Sequence, residues 1–205
     1  MKRINFVVLA ALAFSWALLA APLPAQFVYV ANRGSDNISA YSLNPKTGVL
    51  TALSGSPFAN GAAPFSLALH PSSRFFYLTN FDANTVSGYS IDDKTGALTA
   101  VGSPFATGTD PQGIAVDPLG RFAYVANFFD GTVSGYRIDA KTGALTPLKE
   151  SPFPTVGSPR LLAVDSKAEF VYVASLIGNT VSGYRIDQKS GALTQVTGSP
   201  FLTGR

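Results

Sequence analysis

Four segments of the chain repeat one another. Tyr29-Val30-Ala31-Asn32 returns as Tyr77-Leu78-Thr79-Asn80, Tyr124-Val125-Ala126-Asn127 and Tyr172-Val173-Ala174-Ser175, at spacings of 48, 47 and 48 residues. A second tyrosine follows each first one by 12 residues (Tyr41, Tyr89, Tyr136, Tyr184), and a glycine follows seven residues later (Gly48, Gly96, Gly143, Gly191). Ser-Pro-Phe then recurs, ending at Phe58, Phe105, Phe153 and Phe201, and Pro64, Pro111 and Pro159 each stand 13 residues before the next tyrosine motif. Landmarks held in register over this period mean a solenoid or a propeller, whose units cannot bury their apolar faces alone.

The content of one unit chooses between them. In the third, Gly113 to Val116 is a short apolar run ending at Asp117-Pro118, and Leu119-Gly120 makes a turn. Phe122 to Ala126 and Thr132 to Ile138 are further runs, separated by the loop Phe128 to Gly131. Lys141-Thr142-Gly143 is a hairpin loop with glycine where a positive φ is needed, and Ala144 to Pro147 begins a fourth run. No segment spaces apolar residues at i, i+3 and i+4. Four short strands per unit predict an all-β fold, a β-propeller of four-stranded antiparallel blades. The blades fall at approximately 27–58, 59–105, 106–153 and 154–205. The near-continuous apolar character of the Tyr-Val-Ala-Asn strands fits blades covered on both faces.

Residues 1–25 stand apart. Lys2 and Arg3 precede an apolar stretch from Phe6 to Ala21, about 16 residues, followed by small residues with Ala20, Ala21 and Ala25 as cleavage points. This pattern predicts a secretory signal peptide and a secreted or periplasmic protein, the stretch being shorter than the ~20 residues of a membrane span. No stable span is expected after cleavage. Removing Lys2 and Arg3 leaves 13 basic against 12 acidic residues, so no basic surface points to nucleic acid. The chain has no Cys, which excludes disulfides, thiol catalysis, Cys-ligated metal and a bacterial lipoprotein anchor. No cofactor or metal site is expected; Asp36, Asp82 and Asp130 lie singly in separate loops without a Ca²⁺-loop pattern.

Together, Tyr-Val-x-Asn, Thr-Val-Ser-Gly-Tyr and Lys-Thr-Gly-Ala-Leu-Thr resemble the YVTN-repeat, lactonase-type β-propellers, which include the propeller 6-phosphogluconolactonases and muconate-cyclising relatives. The resemblance runs from Phe27 to Arg205 and implies a seven-bladed ring in proteins about twice this length. Counted against it, the leader sits where the first blade's inner strand belongs, and the chain stops in a connector at Ser199 to Arg205. About 3.75 blades result, an incomplete or partial ring with two apolar blade faces open. Two chains pairing into a composite ring, one strained four-bladed ring, or the product of a truncated longer gene would each account for this. The break in mid-connector favours truncation.

The resemblance also implies where chemistry would sit. Gly157-Ser158-Pro159-Arg160 is similar to the family's Gly-Pro-Arg-His segment, whose Arg and His line the central site. Arg160 matches, but Leu161 stands at the His position, Asp165-Ser166 at a later His-Pro, and Ser175-Leu176 at an Asn-Glu pair. The acid and base that lactone opening needs are therefore missing from this repeat. His70, the only His, lies between the first two strands of its blade at the phase of Asp117 and Asp165, as a turn residue or an acid/base candidate. Asn32, Asn80 and Asn127 end the second strand on the ligand face, either capping the loop through backbone hydrogen bonds or touching a ligand. The tyrosines and Ser-Pro-Phe elements are expected to be packing and blade connectors. Two functions follow. One is a binding or interaction module for carbohydrate or an envelope protein, with self-association through its open edges. The other is a lactone hydrolase or cycloisomerase using Arg160 and His70.

Overall fold

The computed structural model describes residues 8–9, 26–61 and 63–204, and the leader and its cleavage points lie almost wholly outside them. Four antiparallel sheets follow one another along the chain. The first holds β1 (Val8–Leu9), β2 (Gln26–Asn32), β3 (Asn37–Leu43), β4 (Leu50–Ala52) and β5 (Phe58–Ala59). The second holds β6 (Pro64–Leu69), β7 (Phe75–Asn80), β8 (Thr85–Ile91), β9 (Leu98–Ala100) and β10 (Phe105–Ala106). The third holds β11 (Pro111–Val116), β12 (Phe122–Asn127), β13 (Thr132–Ile138), β14 (Leu145–Pro147) and β15 (Phe153–Pro154). The fourth holds β16 (Pro159–Val164), β17 (Phe170–Ser175), β18 (Thr180–Ile186), β19 (Leu193–Gln195) and β20 (Phe201–Leu202). Each sheet is one blade of a partial propeller, and the four do not close into a ring. β1 pairs with β2 in the inner-strand place, Val8 opposite Val30 and Leu9 opposite Tyr29.

The cores lie between blades. Phe75, Tyr77 and Val86 of the second blade pack with Val125, Tyr136 and Leu145 of the third, and equivalent clusters join blades one to two and three to four. Every residue of β7 and β12 is buried, because each of these strands has a blade on either side. In β17 of the last blade burial alternates, with Tyr172 and Ala174 exposed, since only one face is covered.

Two kinds of tyrosine latch join consecutive blades. The second-strand tyrosine donates forward, to a hairpin carbonyl of the next blade: Tyr29 to Gly96, Tyr77 to Gly143 and Tyr124 to Gly191, each at 2.8 Å. The third-strand tyrosine donates backward, to the outer edge of the preceding blade: Tyr89 to Asn60 Oδ1, Tyr136 to the Ala106 carbonyl and Tyr184 to the Pro154 carbonyl. Burial pushes the Tyr29, Tyr77 and Tyr124 phenols well above the ordinary tyrosine range, and Tyr136 up to about 12.

Ser-Pro-Phe departs from its expected role as a connector. The outer strand is split in two, and the Phe starts its second half, as where Phe153 pairs with Val133 and Pro154 with Thr132 of β13. At the split the Ser hydroxyl accepts the N–H that the ladder would leave free: Ser56 from Ala40, Ser151 from Gly135 and Ser199 from Gly183, each at 2.9 Å. The Phe ring folds over the strand where a side chain is missing. A Cβ on Gly135 would lie 2.9 Å from Phe153, so the glycine of Ser-Gly-Tyr makes room for the motif's Phe. The true connectors are the residues that follow, up to the next proline.

Candidate functional site

The inner strands begin, and the second strands end, at the same rim: Pro64 is opposite Asn80, Pro111 opposite Asn127 and Pro159 opposite Ser175. The loops after the second strands and before the inner strands are tied together there. Asp36 Oδ1 accepts from the Ala63 N–H at 2.7 Å, Asn84 Oδ1 from Asp110 N–H at 2.9 Å and Asp130 Oδ2 from Thr109 N–H at 2.7 Å. The singly placed loop aspartates Asp36 and Asp130 thus hold backbone. Among the described residues no group of three His, Cys, Asp or Glu converges to hold a metal.

The three asparagines make a different contact from the capping expected of them. Asn80 Nδ2 donates to Thr85 Oγ1 and Ser87 Oγ at 2.9 and 2.8 Å, and Asn127 Nδ2 to Thr132 Oγ1 and Ser134 Oγ at 2.9 Å each. Asn32 Nδ2 donates likewise to Asn37 Oδ1 and Ser39 Oγ. The register explains it: Thr132 is directly opposite Asn127, and Ser134 is two residues on, on the same face of the hairpin. In the fourth blade Ser175 is too short for this, and Thr180 Oγ1 and Ser182 Oγ are buried without partners among the described residues. The facing position changes with it: Gly61 and Gly108 lie against Asn80 and Asn127, and Val156 stands at that phase opposite Ser175.

Arg160 and His70 lie at opposite ends of the inner strands and cannot act on one ligand. Arg160 follows Pro159 at the ligand rim, exposed and inside a register shift of β16. His70 follows the far end of β6, 7% exposed, with Nε2 donating to the Gly120 carbonyl at 2.9 Å and Nδ1 accepting from Ser72. Both ring nitrogens are spent on holding the turn to the next blade's turn. Asp117 and Asp165, at the same phase one and two blades on, accept within their own turns, from the N–H groups of Phe122 and Phe170.

A cluster that the sequence reading missed lies at the ligand rim. Arg33, after β2, places its guanidinium carbon 4.1 Å from the Phe81 ring centre and 5.5 Å from that of Phe65, and the two rings stack at 6.0 Å. Beside them in the third blade are Asp110 and Gln112, on either side of Pro111 and only 4% and 6% exposed. Asp110 Oδ1 and Gln112 Oε1 are buried and have no hydrogen-bond partner among the described residues. Burial raises the Asp110 carboxyl above the usual carboxylate range, against the opposing pull of the Gln112 amide and the Arg33 charge. The Asp110 backbone is fixed in the left-handed region at φ 59°. Its N–H donates to Asn84, and its carbonyl accepts from the Phe128 N–H at 2.9 Å. Phe65, Gln112 and Arg160 share one phase of the repeat, as do Arg33, Phe81, Phe128 and Leu176. Variation at a fixed phase was the signal that marked this rim.

Elsewhere, a cavity of about 190 Å³ opens between blades one and two beside Asn60, Ser87 and Tyr89. None of its polar side chains has a buried unpartnered atom, so it is a packing gap.

The geometry agrees with what the chain is similar to. The family described as "Lactonase, 7-bladed beta-propeller" matches residues 23–111 and 104–202. A candidate 6-phosphogluconolactonase from Bacteroides uniformis superposes with a TM-score of 0.78 at 20% identity, over 86% of this chain and 51% of its own. A second such candidate, from Bacteroides fragilis, gives 0.77 at 23% over 83% and 50%, and the periplasmic gluconolactonase of Pseudomonas aeruginosa gives 0.72 at 22% over 85% and 52%. The chain therefore spans about half the length of these structures, and at such identities they show the fold alone. No curated protein matches the chain.

Proposed function

The chain belongs to the lactonase family of seven-bladed β-propellers, and from that footing we propose that it is an extracytoplasmic sugar-binding propeller segment whose ligand is a polyhydroxylated sugar or sugar lactone. The observation that carries the proposal is the set of buried acceptors at the rim without donors among the described residues, Asp110 Oδ1 and Gln112 Oε1 with Asn127 Oδ1 in the same blade. A buried polar atom left unpaired costs about 1–3 kcal/mol, and sugar hydroxyls are donors that would satisfy such acceptors. The Phe65 and Phe81 rings offer an apolar face for the C–H side of a pyranose, and Arg33 a cation beside it. Propellers take ligands around the axis at this rim, where the repeats differ most.

Two observations support export. Lys2 and Arg3 precede the apolar run from Phe6 to Ala21, and one fold relative is a periplasmic gluconolactonase. Cleavage of the leader would vacate the inner position that Val8–Leu9 occupies.

Binding accounts for the site better than hydrolysis does. A lactonase would need a base or a positioned water at the rim. The Arg160 guanidinium makes no hydrogen bond to any described residue, and His70 lies in another blade at the far end of that blade's inner strand. Calorimetric titration with D-glucono-1,5-lactone, gluconate and glucose, with lactone opening followed in parallel, tests the reading. Saturable binding that weakens at least ~10-fold in Asp110→Asn, without lactone opening, is expected. Absence of binding to all three, or binding indifferent to Asp110→Asn, overturns it. Lactone opening that Arg160→Ala abolishes would establish the enzyme instead.

A further inference from the structure

Between the second and third blades the rim carries an aromatic group on either side of Asp110. The loop 107–110, which enters the third blade, is tied to both. Toward the second blade, the Asn84 carbonyl accepts from the Thr107 N–H at 3.0 Å, and Asn84 Oδ1 from the Asp110 N–H at 2.9 Å. Toward the loop 128–131 of its own blade, the Asp110 carbonyl accepts from the Phe128 N–H at 2.9 Å and the Thr109 carbonyl from the Phe129 N–H at 3.4 Å. Asp110 is thus held between two short loops that each begin with a phenylalanine, Phe81 and Phe128. Gln112 is fixed separately. The Thr79 hydroxyl, in β7, donates to the Gln112 carbonyl at 2.8 Å, where the other blades have Ala31, Ala126 and Ala174.

The two aromatic groups are of different kinds. Phe65 and Phe81 stack on one another beside Arg33, and both are part-buried. Phe129 meets Phe128 edge to face, with ring centres 5.6 Å apart, and is 73% exposed. The third blade has a blade on either side, so this exposure belongs to the rim and not to an end of the array. Gly34 and Asp82 hold the phase of Phe129 in the first and second blades, so the repeat itself has no packing need for an aromatic ring there. Paired rings at a loop tip, continuous with a row of buried acceptors, are the makings of a ligand surface.

Resting on the sugar-binding reading, we propose that the ligand is an oligosaccharide of at least two linked pyranoses, one seated on Phe65 and Phe81 and the next on Phe129. Asp110 and Gln112 lie between the two platforms and accept hydroxyls from the sugars on either side. The occupant follows from the spacing and the chemistry. The platforms belong to neighbouring blades, and sheets packed face to face stand about 10 Å apart, a span that one sugar ring does not bridge. Each platform offers an apolar ring to the C–H face of a sugar, and what separates them is acceptors without donors among the described residues. An apolar partner would leave those oxygens unpaired, and a single sugar would leave Phe129 in water.

The test is calorimetric titration of the full chain with glucose, cellobiose and maltose, a single sugar against its β-linked and α-linked pairs. One of the two disaccharides is expected to bind at least ~10-fold more tightly than glucose. Phe129→Ala is expected to bring that ratio to within about 2-fold of one. Phe129 is largely exposed, so the variant is expected to fold, and its circular dichroism and thermal melt check this. Phe65→Gln places at the first platform the residue that the third blade carries at the same phase. It is expected to weaken glucose and disaccharide alike, by about 5-fold or more. Glucose binding with neither disaccharide tighter, or a disaccharide advantage that survives Phe129→Ala, overturns the proposal and leaves the sugar-binding reading standing. Binding of none of the three sugars overturns both. Loss of the advantage in Phe65→Gln with glucose affinity unmoved would place the first sugar elsewhere and also overturns the proposal.

Discussion

Tyr124→Phe is the sharpest probe of how the blades hold together, because the chain supplies its own control. The Tyr124 hydroxyl is buried and donates to the Gly191 carbonyl at 2.8 Å across the junction of blades three and four. Removing the oxygen leaves ring packing intact and strips a buried carbonyl of its donor, which costs about 1–3 kcal/mol. With a urea slope of about 2 kcal/mol/M for a domain of this size, the midpoint falls by roughly 0.5–1.5 M. Tyr172 occupies the same phase one blade later but is part-exposed and free of a partner among the described residues. Tyr172→Phe is expected to change stability by less than about 0.5 kcal/mol. Urea unfolding followed by circular dichroism compares the two. Equal losses in both variants, or no loss in Tyr124→Phe, would refute the assignment of stability to the interblade latch.

Further outcomes follow from the same geometry. Asp110→Asn is expected to leave stability unchanged or raise it by about 1 kcal/mol while weakening sugar binding at least ~10-fold, since it discharges a buried carboxyl with an unpartnered oxygen; thermal melts and titrations on one sample check both. The double substitution Val156→Gly with Ser175→Asn gives Thr180 and Ser182 the amide donor their equivalents have. It is expected to stabilise by roughly 1–2 kcal/mol, where Ser175→Asn alone meets Val156 and does not, a coupling that a double-mutant cycle in urea reads directly. Stability is expected to hold up to about pH 10 and fall above it. The folded phenols keep their protons after the unfolded ones ionise, and Tyr136 alone, raised to about 12, removes roughly 2–3 kcal/mol by pH 12. Denaturant titrations at pH 8, 10 and 11 test the sign.

The sequence carried the fold because the fold is made of the repeated residues. The Tyr at position 77 of one blade finds its partner at Gly143 in the next, so both members recur with the period. The strand count was right except at the outer edge. There Ser151 replaces a ladder bond with its hydroxyl and lets Phe153 rejoin the same strand, a substitution of side chain for backbone that no apolar pattern displays.

The rim was less legible for the opposite reason. A residue that binds a ligand departs from its repeat, and alignment of landmarks discards departures. Asp110 stands at the phase of Ala63 and Ser158, and Gln112 at that of Phe65 and Arg160; each differs from its equivalents in polarity or charge. Arg160 was visible only through a resemblance, which also placed His70 beside it in function though a whole inner strand separates them. In a repeat protein the regular positions report what neighbours need from one another. On the proposed reading, the positions that break phase at one rim are the ones that meet a ligand from outside. Arg33, Phe65, Asp110 and Gln112 are of that kind, and two of them hold buried oxygens with no donor among the described residues.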